Sequence, residues 1–310
     1  MSYAKPTAID KATDAVLGCF SNVSLPESLD HLVRYLGTWS GSDKLFAIVE
    51  YTLKLLVPIL HKRAQIQKNA GLRKLGTSST AARFSKLAGS ISNSRTLWSS
   101  IHTAGLLTII RWMISLEHNP QPTRRLLNIE RLQGWSMFGY YPLEHLSYLA
   151  SADVLPSRST IDFPPFVTKK RTVELNAGKL SLWSVRCWAV YVVLQFAHLH
   201  EDRKLLQAKY RTILKAGMKP AEKQEMQKRW RAYWSDLVVN MANFPLALHW
   251  STGSRLIKQD YIVALLNLVV AVISFRNGWE ATALPATPLA AEPTDDSMEP
   301  VIENVTGYES

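Results

Sequence analysis

Apolar residues recur every three or four positions along most of the chain, and strand-like alternation is scarce, so the pattern predicts an all-α protein. A first helix falls over residues 28–36. Residues 37–42, Gly-Thr-Trp-Ser-Gly-Ser, turn the chain, and Ser42 is placed to cap a second helix over 43–62, which Pro58 should kink. The polar, basic stretch 65–80 reads as a loop or a frayed helix. Helical spacing returns and runs toward Leu116, and His118-Asn119-Pro120-Gln121-Pro122 ends it. Further helices fall over 124–150, 180–218 and 221–244. A proline-bearing loop at 155–165 and the pair Lys219-Pro220 separate them, and Pro245 marks another break. The pattern divides the chain into an N-terminal segment (1–27), a helical region (28–280) and a tail (281–310).

Two runs, 185–199 and 261–275, are each 15 residues long and mostly apolar, short of the roughly 18–20 residues of a membrane span. Arg186 and His198 interrupt the first, and Lys258, Asp260 and Arg276 bound the second. Their length fits either buried core helices of a soluble bundle or short membrane-embedded helices.

The stretch Arg83-Phe84-Ser85-Lys86-Leu87-Ala88-Gly89-Ser90-Ile91 and its continuation to Ile101 carries a different pattern. At 100° per residue, Phe84, Leu87, Ala88, Ile91, Trp98 and Ile101 share an arc of about 140°. Serine, threonine and glycine fill the opposite face, where an ordinary surface helix carries Glu and Lys. Arg83, Lys86 and Arg95 flank the apolar arc, so that their stems lie along it with the charges raised into water. Serine-rich helices are weak alone. Such a segment either packs on neighbouring helices or folds as its apolar edge enters a lipid surface, the behaviour of helices that sense lipid-packing defects. A helix that forms on a membrane need not be stable in water.

Charge adds to this picture. No carboxylate lies between Glu50 and Glu117, a stretch holding ten bases, and the tail from Ala281 holds six acids and no base. A one-sign run of this length seeks a polyanion, and charge alone does not distinguish nucleic acid from anionic lipid. The prolines and acids of the tail have the composition of a disordered segment. Two cysteines, Cys19 and Cys187, make no disulfide framework and fit a reducing compartment. Residues 1–20 contain Lys5, Asp10, Lys11 and Asp14 without a long apolar core, which argues against a secretory signal.

Catalytic patterns are missing: there is no phosphate-binding glycine loop, zinc spacing or nucleophile elbow. His198 and Asp202 share a helix face without a further evident ligand, and Glu144 with His145 reads as a packed polar pair. We therefore expect no enzyme activity, no catalytic residue, no metal and no cofactor. With no nucleic-acid reading module in the sequence, no nucleic-acid partner is expected either.

Several blocks taken together resemble the peroxin-11 (peroxisomal biogenesis factor 11) family. They are Gly41-Ser42-Asp43-Lys44 entering an apolar helix at Tyr51-Thr52-Leu53-Lys54, Arg95-Thr96-Leu97-Trp98, and Tyr141-Pro142-Leu143-Glu144-His145. Trp183-Ser184-Val185-Arg186, Pro245-Leu246-Ala247-Leu248-His249-Trp250 and Phe275-Arg276-Asn277-Gly278-Trp279 complete the order. One departure is that Ser99-Ser100-Ile101-His102 stands where relatives continue with bases, which marks a divergent member. The resemblance implies a membrane-associated helical bundle in the peroxisomal membrane that elongates the organelle and promotes its fission and proliferation. Self-association, an anionic phospholipid membrane, and a dynamin-related GTPase with its membrane adaptor are the partners it implies. The membrane-binding residues expected are Phe84, Leu87, Ile91, Trp98 and Ile101, with Arg83, Lys86 and Arg95. A membrane pore or metabolite-permeability protein is the alternative.

Overall fold

The computed structural model describes residues 26–72, 74–101, 104–155, 158–161 and 171–283. Apart from residues 26–27 and 281–283, the N-terminal segment and the tail expected from the sequence lie outside the described residues. Eight helices are described: α1 Glu27–Gly37, α2 Trp39–Asn69, α3 Ser79–Ile101, α4 Ala104–His118, α5 Arg124–Ser151, α6 Ala177–Ala216, α7 Pro220–Ser251 and α8 Asp260–Ala281. Between α5 and α6 lies a short antiparallel ribbon, β1 Arg158–Ile161 and β2 Arg171–Glu174, with Arg158 opposite Glu174. Four-residue strands are too short for alternation to register in the sequence, which is why this stretch read as a loop.

Three helix limits differ from the sequence reading, each for a local reason. The second helix begins at Trp39, because Thr38 rather than Ser42 caps it: Thr38 Oγ1 accepts from the Gly41 N–H at 3.0 Å. Ser42 instead donates to the Leu36 carbonyl and closes the end of α1. A side chain at Gly41 would collide with the Tyr35 carbonyl oxygen, so this turn requires glycine. The same helix continues past Lys62 to Asn69, and Pro58 lies within it. Pro245 likewise does not end α7, which runs on to Ser251. Neighbouring helices hold both segments in helical form despite the missing N–H.

The helices pack in one row, α4–α5–α6–α7–α8–α2–α3, with α1 laid against α2 and a lighter contact between α3 and α5. Alanines recur inside this row: Ala47 and Ala64 on α2, Ala81 and Ala88 on α3, Ala242 and Ala247 on α7, and Ala264 and Ala271 on α8 are buried, alongside larger residues such as Leu126, Ile129, Val192 and Leu246. Seven-residue spacing in 81/88 and 264/271 puts each pair on one helix face, where alanine lets backbones approach closely. Large apolar side chains point outward, among them Phe46, Ile59, Val190, Val193, Met241 and Leu265.

The hairpin of α6 and α7 changes character along its length. In the half around the α6–α7 connection, Leu199, Leu206, Met226 and Tyr233 form a conventional buried cluster, with Ile213, Trp230 and Leu237 packed on it. Arg203, Lys204, Arg211, Lys228 and Arg229 cover that half. In the other half no Asp, Glu, Lys or Arg occurs over 187–200 or 237–254. There Ser184, Val192, Ala242, Leu246 and Ala247 are buried, while Val190, Val193 and Met241 are each at least half exposed. Phe196 and Phe244 meet edge to face across this half at 5.6 Å.

Two helices are long and apolar enough to cross a membrane: α6, and α8 with 22 residues, about 33 Å at 1.5 Å per residue. The expectation that these runs fall short of span length is corrected by helix that continues beyond the apolar residues. At the end of α8, Arg276 and Glu280 pair one turn apart at 2.9 Å and carry it to Ala281. Only 11% of each apolar window is buried, which is not how a soluble protein treats its core helices.

The end of α8 anchors α1. Tyr35, 2% exposed, sits edge-on to Phe275 and Trp279 with centroids 4.9 and 6.0 Å away, and His31 Nε2 lies 3.1 Å from the Trp279 carbonyl oxygen. Glycine at 278 makes room for that ring, since a methyl there would lie 2.7 Å from the Tyr35 hydroxyl oxygen. Gly278→Ala should therefore lower stability by about 1–3 kcal/mol, read as a lower unfolding midpoint in mild detergent. Little further loss is expected in a Tyr35→Ala background, and an equal loss there would contradict the contact.

Candidate membrane-binding site

Ser78 starts α3, its Oγ accepting from the Ala81 N–H at 3.3 Å. Ala81, Ala88 and Arg95 recur every seven residues and define the seam that α3 turns toward α2. This seam lies on the border between the apolar arc and the serine face, so each face is divided by the packing. Phe84 and Ile91, next to the seam, are half-buried; Leu87, farther round, is 50% exposed. Arg83 and Lys86 are exposed. Trp98 and Ile101 belong to α3 by backbone, and their side chains lie outside the described residues.

The serines serve a local purpose. Ser94 Oγ donates to the Ser90 carbonyl and Thr96 Oγ1 to the Ser92 carbonyl, both at 3.0 Å. Back-bonded hydroxyls are satisfied within the helix, so this face needs no carboxylate or water to complete it. That is how a helix without an acid on its polar side remains tolerable beside apolar surroundings.

Arg95 departs from its expected place as a lipid-facing base. Its Nε donates to Asp43 Oδ1 at 2.9 Å and its Nη1 to Glu50 Oε2 at 2.7 Å, and the guanidinium lies over the Tyr51 ring at 5.8 Å. Lys54 holds the second Glu50 oxygen at 2.5 Å. Asp43 and Glu50 are seven residues apart and share a face of α2, the one sequence signal that could have found the pairing. Glu50 is 1% exposed, so its charge is tolerated only because both oxygens are paired. Burial alone raises both carboxyls. Hydrogen bonds from Arg95 to Asp43, and from Lys54 and Arg95 to Glu50, outweigh that and hold both below the ordinary carboxylate values. Burial works against the Arg95 charge too, and the two carboxylates more than offset it, so its pKa is raised.

The polar pairs noted in the sequence have structural neighbours. Tyr140 donates to Glu144 at 2.7 Å within α5, and His198 lies 3.5 Å from Glu130 across α5 and α6. Among the described residues no group of three or more His, Cys, Asp or Glu is placed to hold a metal ion.

An exposed apolar edge on α3 thus belongs to the same bundle as two helices long and apolar enough to cross a bilayer. A family model for peroxisomal biogenesis factor 11 (PEX11) matches residues 29–279. The chain belongs to the PEX11 family. Among curated proteins and among solved structures, none matches it. Membership makes it a peroxisome biogenesis protein associated with the peroxisome, and the match spans every described helix save the first two residues of α1 and the last two of α8.

Within this PEX11-family bundle the Arg95 cluster fixes α3 to α2. Arg95→Gln should cost about 2–3 kcal/mol of stability, less than a wholly enclosed pair because Arg95 and Asp43 retain some exposure. Both carboxyls are lowered in the folded state, so their contribution is present above the unfolded pKa values and is lost as pH falls through the folded ones. Wild-type stability should decline below about pH 4.5, and Arg95→Gln should flatten that decline. Denaturant unfolding in detergent at several pH values tests this; an unchanged slope would contradict the network.

Proposed function

We propose that this PEX11-family protein is a non-enzymatic peroxisomal membrane protein that curves and elongates the membrane and so promotes fission and proliferation. In this reading α6 and α8 are embedded in the bilayer, and α3 lies along one leaflet with Leu87 leading, Phe84 and Ile91 behind it, and Trp98 and Ile101 continuing the edge. Arg83 and Lys86 meet anionic headgroups, each worth about 1 kcal/mol near such a surface. Arg95 serves a different end, fastening the inserting helix to α2. Apolar volume pushed into one leaflet expands its headgroup layer and favours positive curvature. Self-association and a dynamin-related GTPase with its adaptor complete the fission step in this reading.

The observation that carries the proposal is the uncovered Leu87 edge on a helix whose flanking charges are all basic. Full burial of a leucine contributes roughly 1.5–3 kcal/mol, so insertion by α3 is reversible and easily broken by a charge. The two outward-apolar helices α6 and α8 also support a membrane-integral body, as the pore reading requires.

Full-length protein carrying Leu87→Glu should bind and tubulate anionic vesicles at least roughly tenfold less well than wild type, with helicity and organelle targeting retained. Tubulation equal to wild type would overturn the role of α3. Solute flux from sealed vesicles that survives Leu87→Glu would favour the pore instead.

A further inference from the structure

A cleft of about 1290 Å³ opens between α2, α3, the segment joining α7 to α8, and α8 itself. This exceeds the roughly 300–1,000 Å³ of pockets suited to drug-sized molecules. Val57, Pro58, Ile257 and Val263 give its wall an apolar strip beside the almost fully enclosed Ala88 and Ala264, and Ser85, Ser92 and Asn267 line the wall next to it. Its rim is cationic. Lys62 on α2 and Arg255 and Lys258 on the connecting segment are all exposed, and none has an ion-pair partner among the described residues. Asp260 is the one exposed acid on the rim, which leaves the cations in excess. Glu50 also reaches the cleft, with its charge already engaged by Lys54 and Arg95.

The rim has a definite level relative to the apolar helices. It lies where α8 begins, and Tyr261 and Trp250 line the cleft there. Trp250 is paired with Trp188 at 5.8 Å, and Arg186, over the Trp183 ring at 4.8 Å, reaches the Ser251 carbonyl. Amphipathic rings and arginines gathered at one end of apolar helices mark the headgroup layer of a bilayer. Away from that level the cleft wall carries the apolar strip, and at it the exposed charge is mainly positive.

We propose that the cleft holds one anionic glycerophospholipid, its phosphate met by Lys62, Arg255 and Lys258 and its acyl chains lying along Val57, Ala88, Val263 and Ala264. The inference rests on the membrane-embedded reading of α8 and concerns residues apart from the outward edge of α3. Charge complementarity selects a negative headgroup over a zwitterionic one, and the apolar wall selects a lipid over a free phosphate. A lipid seated here would contact α2, α3 and α8 together and hold α3 against the bundle from the side opposite Leu87.

The test uses full-length protein, delipidated in neutral detergent and titrated with phosphatidylinositol or phosphatidylcholine, with retained lipid counted by native mass spectrometry. One phosphatidylinositol per chain should be retained, with roughly tenfold or greater preference over phosphatidylcholine. The triple variant Lys62→Glu, Arg255→Glu, Lys258→Glu should lose that preference while keeping wild-type helicity, because all three side chains are exposed. Leu87→Glu should keep it, so a failure of the cleft and a failure of α3 insertion give different results. Equal retention of the two lipids, or undiminished preference in the triple variant, would overturn the proposal. Displacement of the lipid by inorganic phosphate would overturn it in favour of a free-anion site.

Discussion

A helix that buries alanine and presents leucine, valine and phenylalanine outward is stable only where its surroundings are themselves apolar. That constraint governs this protein. Along α2, α3 and α8 the side chains buried between helices are chiefly alanines. Close backbone contact at Ala47, Ala242, Ala264 and Ala271 supplies dispersion instead, which is the packing available once lipid already satisfies the outer surface. The conventional cluster of Leu199, Leu206, Met226 and Tyr233 shows that the same chain builds a water-adapted core where its surface is charged. Along α6 and α7 the surface thus passes from charged to apolar within one hairpin.

The buried charge cluster around Glu50 follows from the same constraint. An apolar neighbourhood makes an unpaired Glu50 intolerable, so Arg95 and Lys54 close on it from two helices. Specificity is the consequence: the register of α3 on α2 is set by where Arg95 finds Asp43 and Glu50. The seam so fixed leaves Leu87 outside. Geometry that settles a structural charge thereby decides which part of the apolar arc stays uncovered.

Much of this was legible in the sequence. The helical class, α1, the extents of α5 and α6, and the amphipathic character of α3 all follow from spacing and capping. The apolar arc and the serine face of α3 were also readable, but the line along which α2 divides them was not. That line depends on Asp43 and Glu50, 52 and 45 residues before Arg95. Pro245 misled for a similar reason: proline disfavours helix continuation locally, and tertiary packing overrides it there. The length of α8 was underestimated because hydropathy ends sooner than hydrogen bonding does. The cationic rim of the cleft joins Lys62 to Arg255 and Lys258, nearly two hundred positions away, and no local pattern connects them.

The central claim is that the outward apolar faces of α6 and α8 meet lipid. Spin labels on single cysteines at Val193, Val272 and Lys204 of the reconstituted full-length protein, with Cys19 and Cys187 replaced, test it most directly. Labels at 193 and 272 should be accessible to oxygen and shielded from a water-soluble nickel chelate, while the label at 204 shows the reverse. Free access of the chelate to 193 and 272 would contradict the account.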